Sequence, residues 1–186
     1  MEIKIGVSAR HVHLTKETLE NLFGEGYELT KFKDLSQPNQ YASNEKIDVK
    51  TEKGEFKGVR ILGPIRYYDQ VELSKTDAFK LGINPPVRSS GDIKDSEEVT
   101  LVGPKGEVTI KEGCIIANRH IHVTEKDIEK YDLPEVVSVK VDGEKGGILE
   151  NVRIKKADDA YFELHIDTDD ANAHLINNGA TGKIVK

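Results

Sequence analysis

A single cysteine, Cys114, leaves the chain without an internal disulfide and without the ligands for a cysteine-built zinc knuckle. Any metal must therefore be held by His, Asp, Glu or water. No apolar run approaches the roughly 18 residues that a membrane-spanning helix needs, so no membrane association is expected. Nothing like a basic, apolar or amphipathic leader precedes the alternating start MEIKIGVSAR, and the expectation is a cytoplasmic protein. Basic residues are in deficit, 27 Lys and Arg against 33 Asp and Glu, for a net charge of −6. That balance speaks against a broad nucleic-acid footprint, although a local cationic site for a small anion remains compatible with it.

What is present is a series of short strand-like stretches. EIKIGVSA, KIDVKTEKG, FKGVRILG, EVTLVG, EVTIKEGCIIA, VVSVKVDG, VRIKKA and YFELHID alternate apolar and polar residues between turns such as VGPKGE and DGEKGG. At 186 residues, this pattern predicts small antiparallel β-barrels or sandwiches. Four short helices are expected. TKETLENLFG and TEKDIEKY begin behind Thr15 and Thr124 as N-caps, while SKTDAFKLG and DTDDANAHLINNG each stop at a glycine.

Four of the six histidines fall in two matching phrases, ARHVHL at residues 9–14 and NRHIHV at 118–123. The match runs on into the helix that follows each one. A second pair, VRILGPIRYYDQVELSKTDA (59–78) and VRIKKADDAYFELHIDTDDA (152–171), aligns without a gap and sets Glu72 opposite His165. Two matches in the same order indicate an internal duplication of a β-rich unit. The offset falls from 109 to 93 between them, so the second copy is about 16 residues shorter between its two blocks.

His-x-His on a strand places both rings on one face, about 6.5–7 Å apart at Cα, where they can converge on one ion. Two neutral imidazoles suit zinc or a similar metal, and the alignment nominates a third ligand for each pair. The result is two triads, His11/His13/Glu72 and His120/His122/His165. One such pair alone is more often an ordinary strand feature. Two in register with equivalent third ligands favour metal sites with a position open for substrate.

Arg66 in GPIR follows a turn that can present its guanidinium fork to phosphate or carboxylate. Arg10 and Arg119 directly precede the histidine pairs and are expected to share their face as part of an anion site. The loop VRSSGD reads equally well as a plain turn. Cys114, beside an apolar run, reads as a small buried hydrophobe. Asp167, Asp169 and Asp170 are explained by helix capping, and His174 lies outside the site.

Together SARHVHL, GPIR followed by Glu72, PPVRSSGD, ANRHIHV and HIDTDDANA, across residues 8–172, resemble the PduL-type phosphotransacylases, also called phosphate propanoyltransferases. The resemblance implies interconversion of acyl-CoA plus phosphate with acyl phosphate plus CoA. It implies two small β-barrels with the chain crossing between them, residues 1–9 joining 118–186 in one and 10–117 making the other. It also implies two metal ions, usually zinc with cobalt or manganese as possible substitutes, held by the six residues of the triads. Arg66 matches the phosphate-binding arginine, and Ser8, Lys33, Arg60, Leu62, Phe79 and Asn172 match positions lining the CoA site. The expected chemistry is direct attack of metal- and arginine-bound phosphate on the thioester. A metal-dependent acyl-CoA hydrolase and a non-catalytic metal-binding double barrel are the alternatives. Many relatives carry an N-terminal extension that directs them into bacterial microcompartments. This sequence starts at its first strand, so a free cytoplasmic enzyme is expected, with a homodimer as the default assembly.

Overall fold

The computed structural model describes residues 1–185. The chain forms two compact units, one made of Met1–Ala9 and the segment from Asn118 onward, the other of Arg10–Ala117. In chain order, β1 (Glu2–Ser8) is followed by β2 (His11–His13), α1 (Lys16–Phe23), β3 (Lys31–Asp34), β4 (Tyr41–Lys50), β5 (Glu55–Gly63), β6 (Gln70–Glu72), α2 (Lys75–Leu81), β7 (Val87–Arg88), β8 (Glu97–Val102) and β9 (Glu107–Ala117). Then come β10 (His120–Val123), α3 (Glu125–Tyr131), β11 (Val136–Val141), β12 (Gly147–Lys156), β13 (Glu163–Asp167), α4 (Thr168–His174) and β14 (Thr181–Val185).

Each unit closes a six-stranded barrel. One runs β1, β13, β10, β12, β11, β14 and back to β1; the other runs β9, β6, β2, β5, β4, β8 and back to β9, with β3 and β7 added at β4 and β9. Read in these orders, the two rings share one pattern of strand directions: parallel, antiparallel, parallel, then three antiparallel pairs. Strand β1 therefore fills in its barrel the place that β9 fills in the other, and each hands the chain to the histidine strand of the opposite unit.

The rings are mixed, where alternation alone predicted antiparallel barrels. A helix and further strand structure follow each histidine strand, in β2–α1–β3–β4–β5 and β10–α3–β11–β12, which brings the last strand of each run back parallel to it. Most of the extra length of the longer copy lies between α1 and β4, where residues 24–40 hold β3 and are matched only by residues 132–135 between α3 and β11.

Alternation sorts the side chains. In β1, Ile3 and Ile5 are buried between exposed Glu2 and Lys4, and in β11 Val137, Val139 and Val141 turn inward together. They join Ile121, Leu149 and Leu164 in one core, while Val12, Ile47, Val49, Ile61, Val71 and Leu101 fill the other. Each fully buried Leu or Ile contributes about 1.5–3 kcal/mol relative to exposure.

All four strands that carry triad residues run into capped helices. Thr15 and Thr124 cap α1 and α3, Ser74 caps α2, and Asp167 caps α4, each accepting a backbone N–H. Helix α2 ends at left-handed Gly82 as expected, but α4 stops four residues before Gly179, at left-handed Leu175 (φ 52°). The N–H of Ile176 donates to Ala171 O at 2.8 Å while its side chain packs on the core, and that anchorage holds a non-glycine residue in the left-handed conformation.

Candidate metal centres

Val12 and Ile121 point into their barrels, so their neighbours His11, His13, His120 and His122 stand on the outer walls. They are not solvated there: His11, His13 and His122 are buried. In the ladders, His11 lies opposite Glu72 and His120 opposite His165. The third members that the repeat alignment nominates are thus the direct cross-strand partners of the first histidines. Within each triad the potential ligand atoms all lie within 4.8 Å of one another.

The donor sets suit a divalent metal. His120 donates Nδ1–H to Asn118 O at 2.7 Å and His13 donates Nδ1–H to Leu62 O at 3.3 Å, which leaves each Nε2 lone pair for an ion. The Nε2 atoms of His120 and His122 are 3.2 Å apart. Two nitrogens each about 2.0–2.1 Å from a tetrahedral zinc are separated by about 3.3 Å. Burial pushes the His13 imidazole well below its ordinary value, and the neighbouring charges of His11 and Arg66 act in the same direction against Glu72 and the Leu62 carbonyl. A neutral ring with a free lone pair is the state a metal requires.

Arg66 sits in the same unit as the Glu72 triad. Its N–H donates to Leu14 O at 2.8 Å, and its guanidinium donates to Tyr68 Oη at 2.9 Å and Ser90 Oγ at 3.2 Å. Ser90 belongs to the VRSSGD loop, which is more than a turn: it also accepts from Gln70 Nε2 at 2.9 Å, and Gly91 N–H donates to Gln70 Oε1 at 2.7 Å.

Arg10 and Arg119 are placed differently from expectation. Adjacent residues on a strand face opposite ways, and both guanidiniums are committed to carboxylates near helix starts. Arg10 pairs with Asp77 at 2.6 Å, and Arg119 pairs bidentately with Asp170 at 2.6 and 2.8 Å. These are equivalent pairs in the two copies.

Of the residues matched to CoA, Arg60 and Leu62 lie on β5 beside β2, with Arg60 opposite His11. The Arg60 guanidinium lies 4.8 Å from the Phe32 ring centroid and donates to Ser43 O. Lys33 on β3 and Phe79 on α2 stand exposed at the surface of that unit. Ser8 ends β1 opposite Asp167, and Asn172 lies in α4, both in the other unit.

Sequence reading missed Gln70 and Glu163, which occupy equivalent positions two residues before the third triad members. Gln70 Nε2 donates to Glu72 Oε1 at 2.6 Å, and Glu163 Oε2 lies 2.8 Å from His165 Nε2. The gap-free alignment pairs these two residues and was the signal available.

The phosphate propanoyltransferase family model matches residues 4–177. A phosphate propanoyltransferase of Priestia megaterium is 53% identical over 97% of this chain and 84% of its own length. One from Thermotoga maritima is 48% identical over 99% and 89%, and one from Listeria monocytogenes 45% identical over 99% and 87%. With two equivalent triads on matching barrels and similarity of this extent along almost all of its length, the chain belongs to the phosphate propanoyltransferase family.

Proposed function

We propose that this acyltransferase interconverts acyl-CoA plus phosphate with acyl phosphate plus CoA, the acyl group being acetyl or propanoyl. The observation that carries the reading is the pairing of each His-x-His with an equivalent third ligand, with Arg66 held by Tyr68 and Ser90 in the unit of one triad.

In the forward direction a phosphate oxygen attacks the thioester carbonyl carbon, the C–S bond breaks, and CoA leaves as a thiolate that takes up a proton. Arg66 binds and orients the phosphate dianion through its fork, so that attack begins from a fixed geometry. His11, His13 and Glu72 would hold one zinc, and His120, His122 and His165 the other; cobalt or manganese are possible substitutes. When bound, such ions supply Lewis-acid stabilisation for the thiolate and for developing oxygen charge. Lys33 and Arg60 carry charge suited to the phosphates of CoA, Phe79 offers an exposed ring, and Leu62 is the further CoA residue of that unit.

No covalent acyl-enzyme is needed. Cys114 is fully buried, and burial with nearby Glu97 pushes its thiol up to about 12. Among the described residues no helix is long and apolar enough to cross a membrane. We place the enzyme in the cytoplasm as a homodimer.

The test is release of CoA from acetyl-, propanoyl- and butanoyl-CoA with and without phosphate, on zinc-stripped and zinc-restored protein. Phosphate-dependent release with formation of acyl phosphate is expected. Release that ignores phosphate would make the chain a hydrolase, and inertness toward every acyl-CoA with both metals bound would make it a binding module.

A further inference from the structure

The two triads differ in charge, His/His/Glu in one unit and His/His/His in the other, and the residues two positions before the third ligands restore the balance. Gln70 and Glu163 are equivalent in the repeat and stand opposite His13 and His122 in their ladders. Each unit therefore carries one carboxylate in this outer-wall row: Glu72 beside the Gln70 amide, or Glu163 beside the His165 imidazole.

Glu163 is buried, and its Oε2 lies 2.8 Å from His165 Nε2. A carboxylate can only accept from that nitrogen, so in the neutral tautomer that a metal would bind, the proton sits on Nε2 and Nδ1 keeps its lone pair. Packing fixes the arrangement. Gly6 lies opposite His165 on β1, and a Cβ there would come within 3.2 Å of both the Glu163 carboxylate and His165 Cδ2. The Cδ2–Nε2 edge of the ring is thus turned toward Gly6 and Glu163, and Nδ1 lies on the other edge. Gln70, with no exposed surface, plays the corresponding part for Glu72, gripping Oε1 at 2.6 Å while its own amide is held by Ser90 and Gly91.

We propose that Glu163 and Gln70 are positioning residues: Glu163 sets the His165 ring to offer Nδ1 to a metal, and Gln70 orients the Glu72 carboxylate and ties it through Ser90 to Arg66. This rests on the reading of the triads as metal sites. Outer partners of metal ligands typically account for about 10–100-fold in metal affinity.

Two measurements test it without recourse to turnover. Nitrogen-15 NMR of the metal-free protein reads which ring nitrogen of His165 is protonated; Nε2 is expected in the wild type, and in Glu163→Gln, whose amide oxygen still accepts. Zinc titration against a competing chelator should show two sites in the wild type. Glu163→Ala should weaken one of them about 10–100-fold and Gln70→Ala the other, with Glu163→Gln less affected than Glu163→Ala. A His165 proton on Nδ1 in the wild type overturns the assignment of Glu163, even if its variants fail to fold. Zinc affinities within about twofold of wild type in folded Glu163→Ala and Gln70→Ala overturn the proposal while leaving the metal reading intact, provided His120→Ala still loses one zinc. A wild type that takes up no zinc overturns both.

Discussion

Glu72 faces His11 as its direct cross-strand partner, with Oε2 3.4 Å from Nε2. Strand β13 brings His165 to face His120 in the same way. The equivalence predicts that Glu72→Ala and His165→Ala each remove one of two zinc equivalents. Each should lower kcat by about 100-fold or more, the scale of losing one preorganised electrostatic contact to a transition state. Elemental analysis beside a thiol-release assay checks both quantities. Full turnover after loss of one zinc would remove that ion from the chemistry.

Arg66 is held by two hydroxyls, Tyr68 Oη and Ser90 Oγ. Arg66→Lys keeps the charge but loses the fork, so KM for phosphate should rise about tenfold or more while KM for acyl-CoA stays near wild type. Ser90→Ala removes one of the two hydroxyls that hold the guanidinium, leaving Tyr68, and should raise the phosphate KM by severalfold. Steady-state kinetics with each substrate varied in turn separates the two effects, and an unchanged phosphate KM in Arg66→Lys would displace Arg66 from the anion site.

Both triads could be read from sequence because a duplicated chain states each constraint twice. Once 59–78 lay over 152–171, the third triad members followed from position alone, and the ladders place them opposite His11 and His120. The same alignment held Gln70 and Glu163, but a glutamine and a glutamate in a strand carry no signature until the residue they touch is known. Strand direction was not legible either, because alternation reports burial and not the polarity of a neighbour. For Arg10 and Arg119, position next to the histidines says nothing of the carboxylates that claim them, Asp77 and Asp170, which are distant in sequence and adjacent only in the fold.

Glu45 is buried, which alone would push its carboxyl up, yet hydrogen bonds from the Thr30 hydroxyl and N–H and from Tyr27 hold it below the usual range. A carboxyl with a depressed folded-state value contributes stability that is present above its unfolded value and is lost as pH falls through the folded one. Glu45→Gln should therefore destabilise the protein by about 1–3 kcal/mol at pH 7. The gap should close as pH drops below about 4. Urea unfolding at a series of pH values checks it; a gap constant with pH would mean that the carboxylate charge has no part in the network.

The bidentate Arg119–Asp170 pair ties the residue before the second His-x-His to the first turn of α4, and Arg119 Nη1 also donates to Glu150 O at 2.9 Å. Arg119→Lys cannot reproduce the fork and should cost about 1–3 kcal/mol of stability. Because this guanidinium is engaged within the fold, the phosphate KM should not change. A raised phosphate KM at unchanged stability would return Arg119 to the anion site.

Cys114 lies in β9 within the core that holds Val12 and Val71, fully buried, with its thiol pushed up to about 12. At neutral pH almost none of it is thiolate, and the thiolate is the nucleophilic form. Cys114→Ala leaves a small cavity and should cost about 1–2 kcal/mol in urea unfolding. Turnover below the unfolding transition should stay within about twofold of wild type, since direct transfer to phosphate asks nothing of this residue. Loss of turnover in a folded Cys114→Ala chain that keeps both zinc ions would instead require an acyl-cysteine intermediate, and with it a route for the thioester into a barrel core that Val12, Val71 and Leu101 fill without exposed surface.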